Sequence, residues 1–183
     1  MLPYLKYKAE LRRAAKSAVR NITPEQKKER SALIFKNILK LDVIKSAKVV
    51  ALYASLADEV DTTTAIDALH NNKTVVLPRV EGDSMSFYRY DPECISIGAF
   101  GILEPQTLEA IDPSEIDVMI IPGVAFTKDG KRCGRGKGYY DRYLSDSRFR
   151  ATKIGVCYAE QIAEDIETEP HDKVVDMVFF AIE

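Results

Sequence analysis

The residues best placed to do chemistry lie between Ile120 and Tyr143, in the stretch IIPGVAFTKDGKRCGRGKGYYDRY. Gly134, Gly136 and Gly138 occupy alternate positions there. Glycine tolerates positive φ and lets a ligand lie against the main chain, so this spacing predicts a loop whose N–H groups can turn toward an anion. Lys128, Lys131, Arg132, Arg135, Lys137 and Arg142 stand against only Asp129 and Asp141, a local surplus of four positive charges. After Gly138 the run from Tyr139 to Leu144 contains no helix breaker. The loop is therefore expected to feed a helix N-terminus, whose dipole also favours anions. Phosphate binding is the chemistry this combination offers.

Two common phosphate motifs are excluded. Lys137 is followed by Gly138 rather than Ser or Thr, unlike a Walker A loop, and G-x-G-x-G after a polar turn is not the dinucleotide fingerprint. On mechanics alone, a solvated basic turn with flexible glycines is an equal alternative. The whole string PGVAF-x-x-x-G-x-R-x-G-R-G-x-G-Y-Y-D-R-Y, however, closely resembles the signature of the 5-formyltetrahydrofolate cyclo-ligase (5,10-methenyltetrahydrofolate synthetase) family.

The elements that must position this loop can be read along the chain. Leu5 to Val19 mixes apolar residues with Lys and Arg and fits a basic amphipathic helix. Thr23-Pro24-Glu25-Gln26 has the form of a capping box, starting a helix that runs to about Lys40 and is expected to bury Leu33, Ile34, Ile38 and Leu41. Lys48–Ala54, Thr74–Pro78, Asp117–Ile121 and Thr152–Tyr158 read as short buried strands, and Met177–Ile182 as a last one. Met85–Tyr90 alternates in a way that suggests a sheet edge, with one face more exposed than the other. Phe100–Pro105 has loop composition. Between the first strand and a helix to about His70, capped by Asp61 or Thr62, lies a loop carrying Asp58, Glu59 and Asp61. These acids suit a helix N-terminus, but Glu59 also lies past a strand's carboxyl end, where open α/β sheets bind ligands. Strands alternating with helices predict a three-layer α/β/α sandwich with a mainly parallel central sheet.

Composition bounds the rest. The 183 residues suit one domain over 1–183, and 46% apolar with 30% charged residues is globular. No apolar stretch has the length of a membrane span, and Met1 to Tyr7 lacks the apolar core of a signal peptide. A net charge of −2 and a pI near 5.8 argue against a general nucleic-acid binder. Cys94, Cys133 and Cys157 are odd in number and widely spaced, which suits reduced thiols in the cytoplasm. Cations beside Cys133 could lower its thiol pKa, although an incidental small residue is the better reading. His70 and His171 are far apart and read as surface histidines, so a histidine metal cage or a Ser-His-Asp relay is not expected.

What the resemblance adds is specific. It implies conversion of 5-formyltetrahydrofolate to 5,10-methenyltetrahydrofolate with ATP as co-substrate and Mg²⁺ as cofactor, through phosphorylation of the formyl oxygen and attack by N10. By the match, Arg132, Gly134, Arg135, Gly136, Lys137, Gly138, Tyr139 and Tyr140 meet ATP, with Lys8 and Arg12 of the K-x-x-L-R entry on its phosphates. Lys8 and Arg12 are four apart and share a helix face. Ala54, Glu59 and the segment Arg135 to Tyr139 meet the folate, with Glu59 on the pterin; Arg135, Lys137 and Tyr139 are the catalytic candidates. Asp141 and Asp172 fall at the Mg²⁺ positions. The element FGILEP, Phe100 to Pro105, either fixes a turn or closes over the folate with Phe100 or Ile102 as an apolar wall. Cys133 stands where the family commonly has Leu. A monomer acting on small molecules, with no nucleic acid or membrane, is the expectation. Two rivals are a single-stranded RNA binder, stacking bases on the tyrosines of GRGKGYYDRY, and a phosphosugar isomerase or acyl-CoA transferase of related architecture.

Overall fold

Local sequence signals set the helices first. In the computed structural model, which describes residues 3–98 and 101–181, α1 spans Pro3–Arg20 and α2 spans Pro24–Ile38. Thr23 Oγ1 accepts the Gln26 N–H while the Gln26 side chain accepts the Thr23 N–H, so the capping box forms as expected. Short helix α3 covers Asp42–Ser46, and α4 covers Thr63–His70, where Asp61 accepts the Thr63 N–H at 2.9 Å. The helical phase of α2 differs from the expectation. Ile34, Phe35 and Ile38 are buried, whereas Leu33 is 44% exposed and Leu41 lies past the helix end, partly buried.

The apolar runs become one sheet. Its strands are β1 (Val49–Ala51), β2 (Thr74–Glu81) and β3 (Ser84–Arg89), then, after a small ribbon of β4 (Ile95–Ile97) and β5 (Leu103–Pro105), β6 (Val118–Pro122). A second ribbon follows, β7 (Ala125–Phe126) with β8 (Arg132–Cys133), then the single-turn helix α5 (Tyr139–Tyr143), β9 (Thr152–Tyr158) and β10 (Met177–Ala181). The order in the six-stranded sheet is β10-β9-β6-β1-β2-β3, parallel throughout except for β3, which pairs antiparallel at the edge. The stretch read as a loop at Phe100–Pro105 is thus partly strand, since Leu103–Pro105 finds a partner in Ile95–Ile97. Phe100 itself lies outside the described residues.

Each inner strand sends alternate residues to opposite faces. Val50, Leu52, Val75, Ile120 and Ile154 meet α2, α3 and α4 through Ile34, Phe35, Ile44 and Ile66. Ala51, Val76, Met119, Ile121 and Cys157 face the other layer, built from Phe126, Leu144, Phe149 and Val175. Ile120 and Ile154 are fully buried, and each such side chain contributes about 1.5–3 kcal/mol relative to exposure. The edge strand is covered on both faces rather than one. Met85 and Phe87 are buried on one side and Tyr88 on the other, with the Arg79 guanidinium 3.8 Å above the Tyr88 ring.

Two features tie the sheet to the functional loop. Asp117, just before β6, accepts the N–H groups of Lys48 and Val49 at 2.7 and 2.9 Å, which fixes the register of β1 against β6. The β7–β8 ribbon is anchored by Phe126, fully buried against Gly155 of β9. A Cβ at Gly155 would come within 2.5 Å of that ring, so only glycine allows the approach.

Candidate active site

The parallel strands reverse their order of addition between β1 and β6. A crevice opens at such a switch point, outside the carboxyl ends of the strands. Here it is a cavity of about 450 Å³, with Tyr53 and Ala54 past β1, Pro122 at the end of β6 and Gly123 just beyond it in its walls. Pro78, Val80, Met85 and Ile102 form an apolar side, while Lys8, Arg12, Arg132 and Asp172 line a charged one. Apart from Phe100, which lies outside the described residues, every residue singled out from the sequence for the ATP, folate and metal sites borders this cavity.

The glycine loop crosses between the two sides. Gly136 and Gly138 take φ of 99° and 69°, conformations that exposed N–H groups of a nest require. Gly134 does not have positive φ; its role is closeness, because a Cβ there would sit 2.8 Å from Arg132 Nη1. The helix that follows is one turn long, so its dipole is small, and an anion here would have to be held by the loop amides and the cations.

On the charged side, α1 presents Lys8 and Arg12 from one face. Arg12 Nε donates to the Gly134 carbonyl at 2.7 Å, clamping the loop. Lys8 is buried and its Nζ lies 2.5 Å from Asp172 Oδ2, which also accepts the Glu169 N–H at 2.7 Å. Burial acts to raise the Asp172 carboxyl, but these hydrogen bonds and the Lys8 charge outweigh it and hold it below the usual range. Arg132, 5% exposed, donates to Asp141 Oδ1 at 2.8 Å, while its Nε finds no hydrogen-bond partner among the described residues. Lys173 N–H reaches the same Asp141 oxygen at 3.2 Å, which brings the two candidate metal carboxylates to one corner. Lys137 stands exposed at the rim.

On the opposite side, Arg135 spans two neighbouring acids. Its Nε donates to Glu59 Oε1 at 2.9 Å, and its two terminal nitrogens donate to the two oxygens of Asp58 at 3.2 and 2.5 Å. Glu59 Oε2 accepts the Leu56 N–H at 3.0 Å, and its side chain is only 9% exposed. Partial burial pushes the Asp58 carboxyl up, yet the Arg135 hydrogen bonds and charge prevail and keep it below its ordinary value. Arg135, expected among phosphates, rests here on carboxylates.

Tyr139 and Tyr140 are half-buried and pack against the lower core rather than standing out as stacking platforms. Tyr139 donates to the Gly82 carbonyl at 3.3 Å, and Arg142 ties Lys137 and Asp83 carbonyls together at 2.9 and 2.7 Å. His171, read as a surface residue, is exposed but borders the cavity 3.5 Å from Glu169. Only its position beside Asp172 could have hinted at this. His70 packs edge-on against Tyr90, 5.2 Å between centroids. Cys133 is buried, and burial pushes its thiol up despite the attraction of Arg12, Lys8 and Arg132. Sequence reasoning missed the pairing of Asp58 with Arg135, since nothing local distinguishes a helix-flanking acid from one that meets an arginine far along the chain.

Comparison with known proteins identifies the family. The profile of the 5-formyltetrahydrofolate cyclo-ligase family matches residues 5–181. A mouse 5-formyltetrahydrofolate cyclo-ligase is 29% identical over 185 residues, covering 93% of this chain and 91% of its own. A probable 5-formyltetrahydrofolate cyclo-ligase of Schizosaccharomyces pombe is 31% identical, covering 92% of each. The solved structure of Aquifex aeolicus 5,10-methenyltetrahydrofolate synthetase superposes with a TM-score of 0.85 at 38% identity, over 94% of this chain and 89% of that one. The chain belongs to the 5-formyltetrahydrofolate cyclo-ligase family.

Proposed function

We propose that this enzyme cyclises 5-formyltetrahydrofolate to 5,10-methenyltetrahydrofolate at the switch-point cavity, using ATP and Mg²⁺ and releasing ADP and phosphate. The observation that carries the reading is the convergence, in one cavity, of a cationic glycine loop with the half-hidden carboxylate of Glu59, bridged by Arg135.

A formamide oxygen is a poor leaving group, so N10 cannot displace it unaided. Transfer of the γ-phosphoryl group to that oxygen makes an imidate-like phosphate; N10 attacks its carbon, loses its proton, and phosphate departs. Such a transfer needs positioning and charge stabilisation, not a covalent nucleophile. In this reading the amides of Gly134 to Gly138, with Arg132, Lys137, Lys8 and Arg12, hold the polyphosphate. Arg132 is suited to it because its buried Nε lacks an acceptor among the described residues. Glu59 accepts the amino-pyrimidinone edge of the pterin, with Ala54 and Ile102 as apolar walls, and the low exposure of its carboxylate makes those hydrogen bonds count. Arg135 and Tyr139 stand where the two substrates meet.

Among the described residues no cluster of three or more His, Cys, Asp or Glu forms a metal cage. Mg²⁺ does not need one, because it is held by one or two carboxylates together with phosphate oxygens and water. Asp141 and Asp172 fit that donor set, sharing a corner with the phosphate-side cations. Bound there, the ion would neutralise charge building on the β- and γ-phosphate oxygens. The free thiols Cys94, Cys133 and Cys157 support a reducing, cytoplasmic setting, and we take the working unit as a monomer.

The test is the rise of methenyl-folate absorbance with purified protein, Mg-ATP and 5-formyltetrahydrofolate. Product should require ATP and disappear on chelation of Mg²⁺. No product, or product formed without ATP, overturns the proposal.

A further inference from the structure

The loop that carries Glu59 is held by hydroxyls outside the charged and apolar walls described above. Tyr158, at the carboxyl end of β9, is fully buried, and its hydroxyl donates to the Glu59 carbonyl at 2.9 Å. Ser31 of α2 is also buried; its Oγ lies 3.3 Å from the Tyr158 oxygen and accepts the Asp61 N–H at 3.0 Å. Each hydroxyl has a single hydrogen, which settles the donors. The Tyr158 proton goes to Glu59, so the Ser31 proton points to Tyr158, and a Ser31 lone pair takes the Asp61 amide. Beside them Tyr53 donates to the Val60 carbonyl at 2.8 Å, and Thr62 Oγ1 donates to the Tyr53 carbonyl at 2.5 Å. The backbone from 59 to 62 is thus tied to β9, to α2 and to the chain leaving β1.

A side chain can be aimed only as well as its backbone is held. The Tyr158 bond fixes the peptide plane that follows Glu59, in a part-buried place, so removing the phenol takes from that carbonyl its side-chain donor. The phosphate-side groups sit on α1, β8 and the glycine loop, and among the described residues Ser31 and Tyr158 make no hydrogen bond to any of them.

We propose that Tyr158 and Ser31 are positioning residues that aim the Glu59 carboxylate, setting affinity for the folate and not for the nucleotide. This rests on the reading of Glu59 as the pterin ligand. It adds two residues to the site, neither of which touches substrate.

Steady-state kinetics with each substrate varied separately test it, on Tyr158→Phe, Ser31→Ala, Glu59→Gln and the double variant Glu59→Gln/Tyr158→Phe. Tyr158→Phe should raise KM for 5-formyltetrahydrofolate about tenfold, with KM for ATP within about twofold of wild type. Ser31→Ala should act in the same direction more weakly, which keeps the test open if the phenylalanine variant folds poorly. In the Glu59→Gln background, adding Tyr158→Phe should change folate KM by less than about twofold, because the target is already gone. Equal rises in both KM values, or full additivity in the double variant, overturn the relay, since a general loosening of the fold would give those results. An unchanged folate KM in Glu59→Gln instead overturns the reading of Glu59 and the relay with it. A raised folate KM in Glu59→Gln with none in Tyr158→Phe and Ser31→Ala overturns the relay alone.

Discussion

Arg135 and Glu59, 76 residues apart in the chain, meet at 2.9 Å across the mouth of the cavity. The guanidinium holds Asp58 with its remaining nitrogens, so one planar fork organises two acids. A carboxylate so engaged can turn to a folate while its neighbour keeps the arginine in place. That arrangement leads to the first prediction.

Arg135→Ala should lower kcat by about 10²–10³-fold, the scale of losing a donor aimed at developing charge. Arg135→Lys should recover little of it, because an ammonium cannot span Asp58 and Glu59 as a fork does. The side chain is 32% exposed on a surface loop, so thermal unfolding should stay close to wild type. Single-turnover kinetics with circular dichroism melts check both halves.

Gly155→Ala should destabilise the protein by about 1–3 kcal/mol, the usual cost of overpacking a filled core. The new methyl would sit 2.5 Å from the Phe126 ring, which is fully buried and cannot swing away. Because Phe126 anchors the ribbon that delivers the glycine loop, activity should fall as well. Urea midpoints and turnover, measured on the same preparation, decide this.

Asp172 is held below its ordinary range by Lys8 and the Glu169 amide despite the opposing effect of burial. A depressed folded value means the stabilisation is complete above the unfolded pKa of about 3.9 and is lost as pH falls through the folded value. Asp172→Asn should therefore cost about 1.5–3 kcal/mol at pH 7, the worth of hydrogen bonds to a charged group. The gap from wild type should close below about pH 3.9. Urea unfolding across that range gives the answer; a pH-independent difference would show that the carboxylate charge is not what matters.

Burial pushes the Cys157 thiol up to about 12, with a further rise from the Glu160 charge. At pH 8 about one such thiol in ten thousand is ionised. In native protein a thiol reagent should therefore label Cys94, which is partly exposed, well before Cys133 or Cys157, both buried. Peptide mapping after brief labelling tests the order; early labelling of Cys157 would contradict it.

The sequence by itself determined what depends on near neighbours. The capping box at Thr23 and the two-sided apolar strands are written in consecutive residues and formed close to the reading, and of the cationic glycine loop Gly136 and Gly138, though not Gly134, took positive φ. Even locally, limits showed. Leu33 and Phe35 differ by only two positions on α2, and the sheet chose the phase that buries Phe35. Leu103–Pro105 became a strand because Ile95–Ile97 was available to pair with it.

Only the tertiary structure decided which distant groups meet. Arg135 with Asp58 and Glu59, Lys8 with Asp172, and Tyr158 with Ser31 and Glu59 all join positions 76 or more apart. No spacing rule encodes such pairs, because they follow from the strand order. The reversal between β1 and β6 sets the ends of two strands side by side and brings α1, the glycine loop and the chain after residue 169 to the same crevice. Residue types pointed to an anion-binding loop; the chain path decided which charges line the cavity and which are paired with one another.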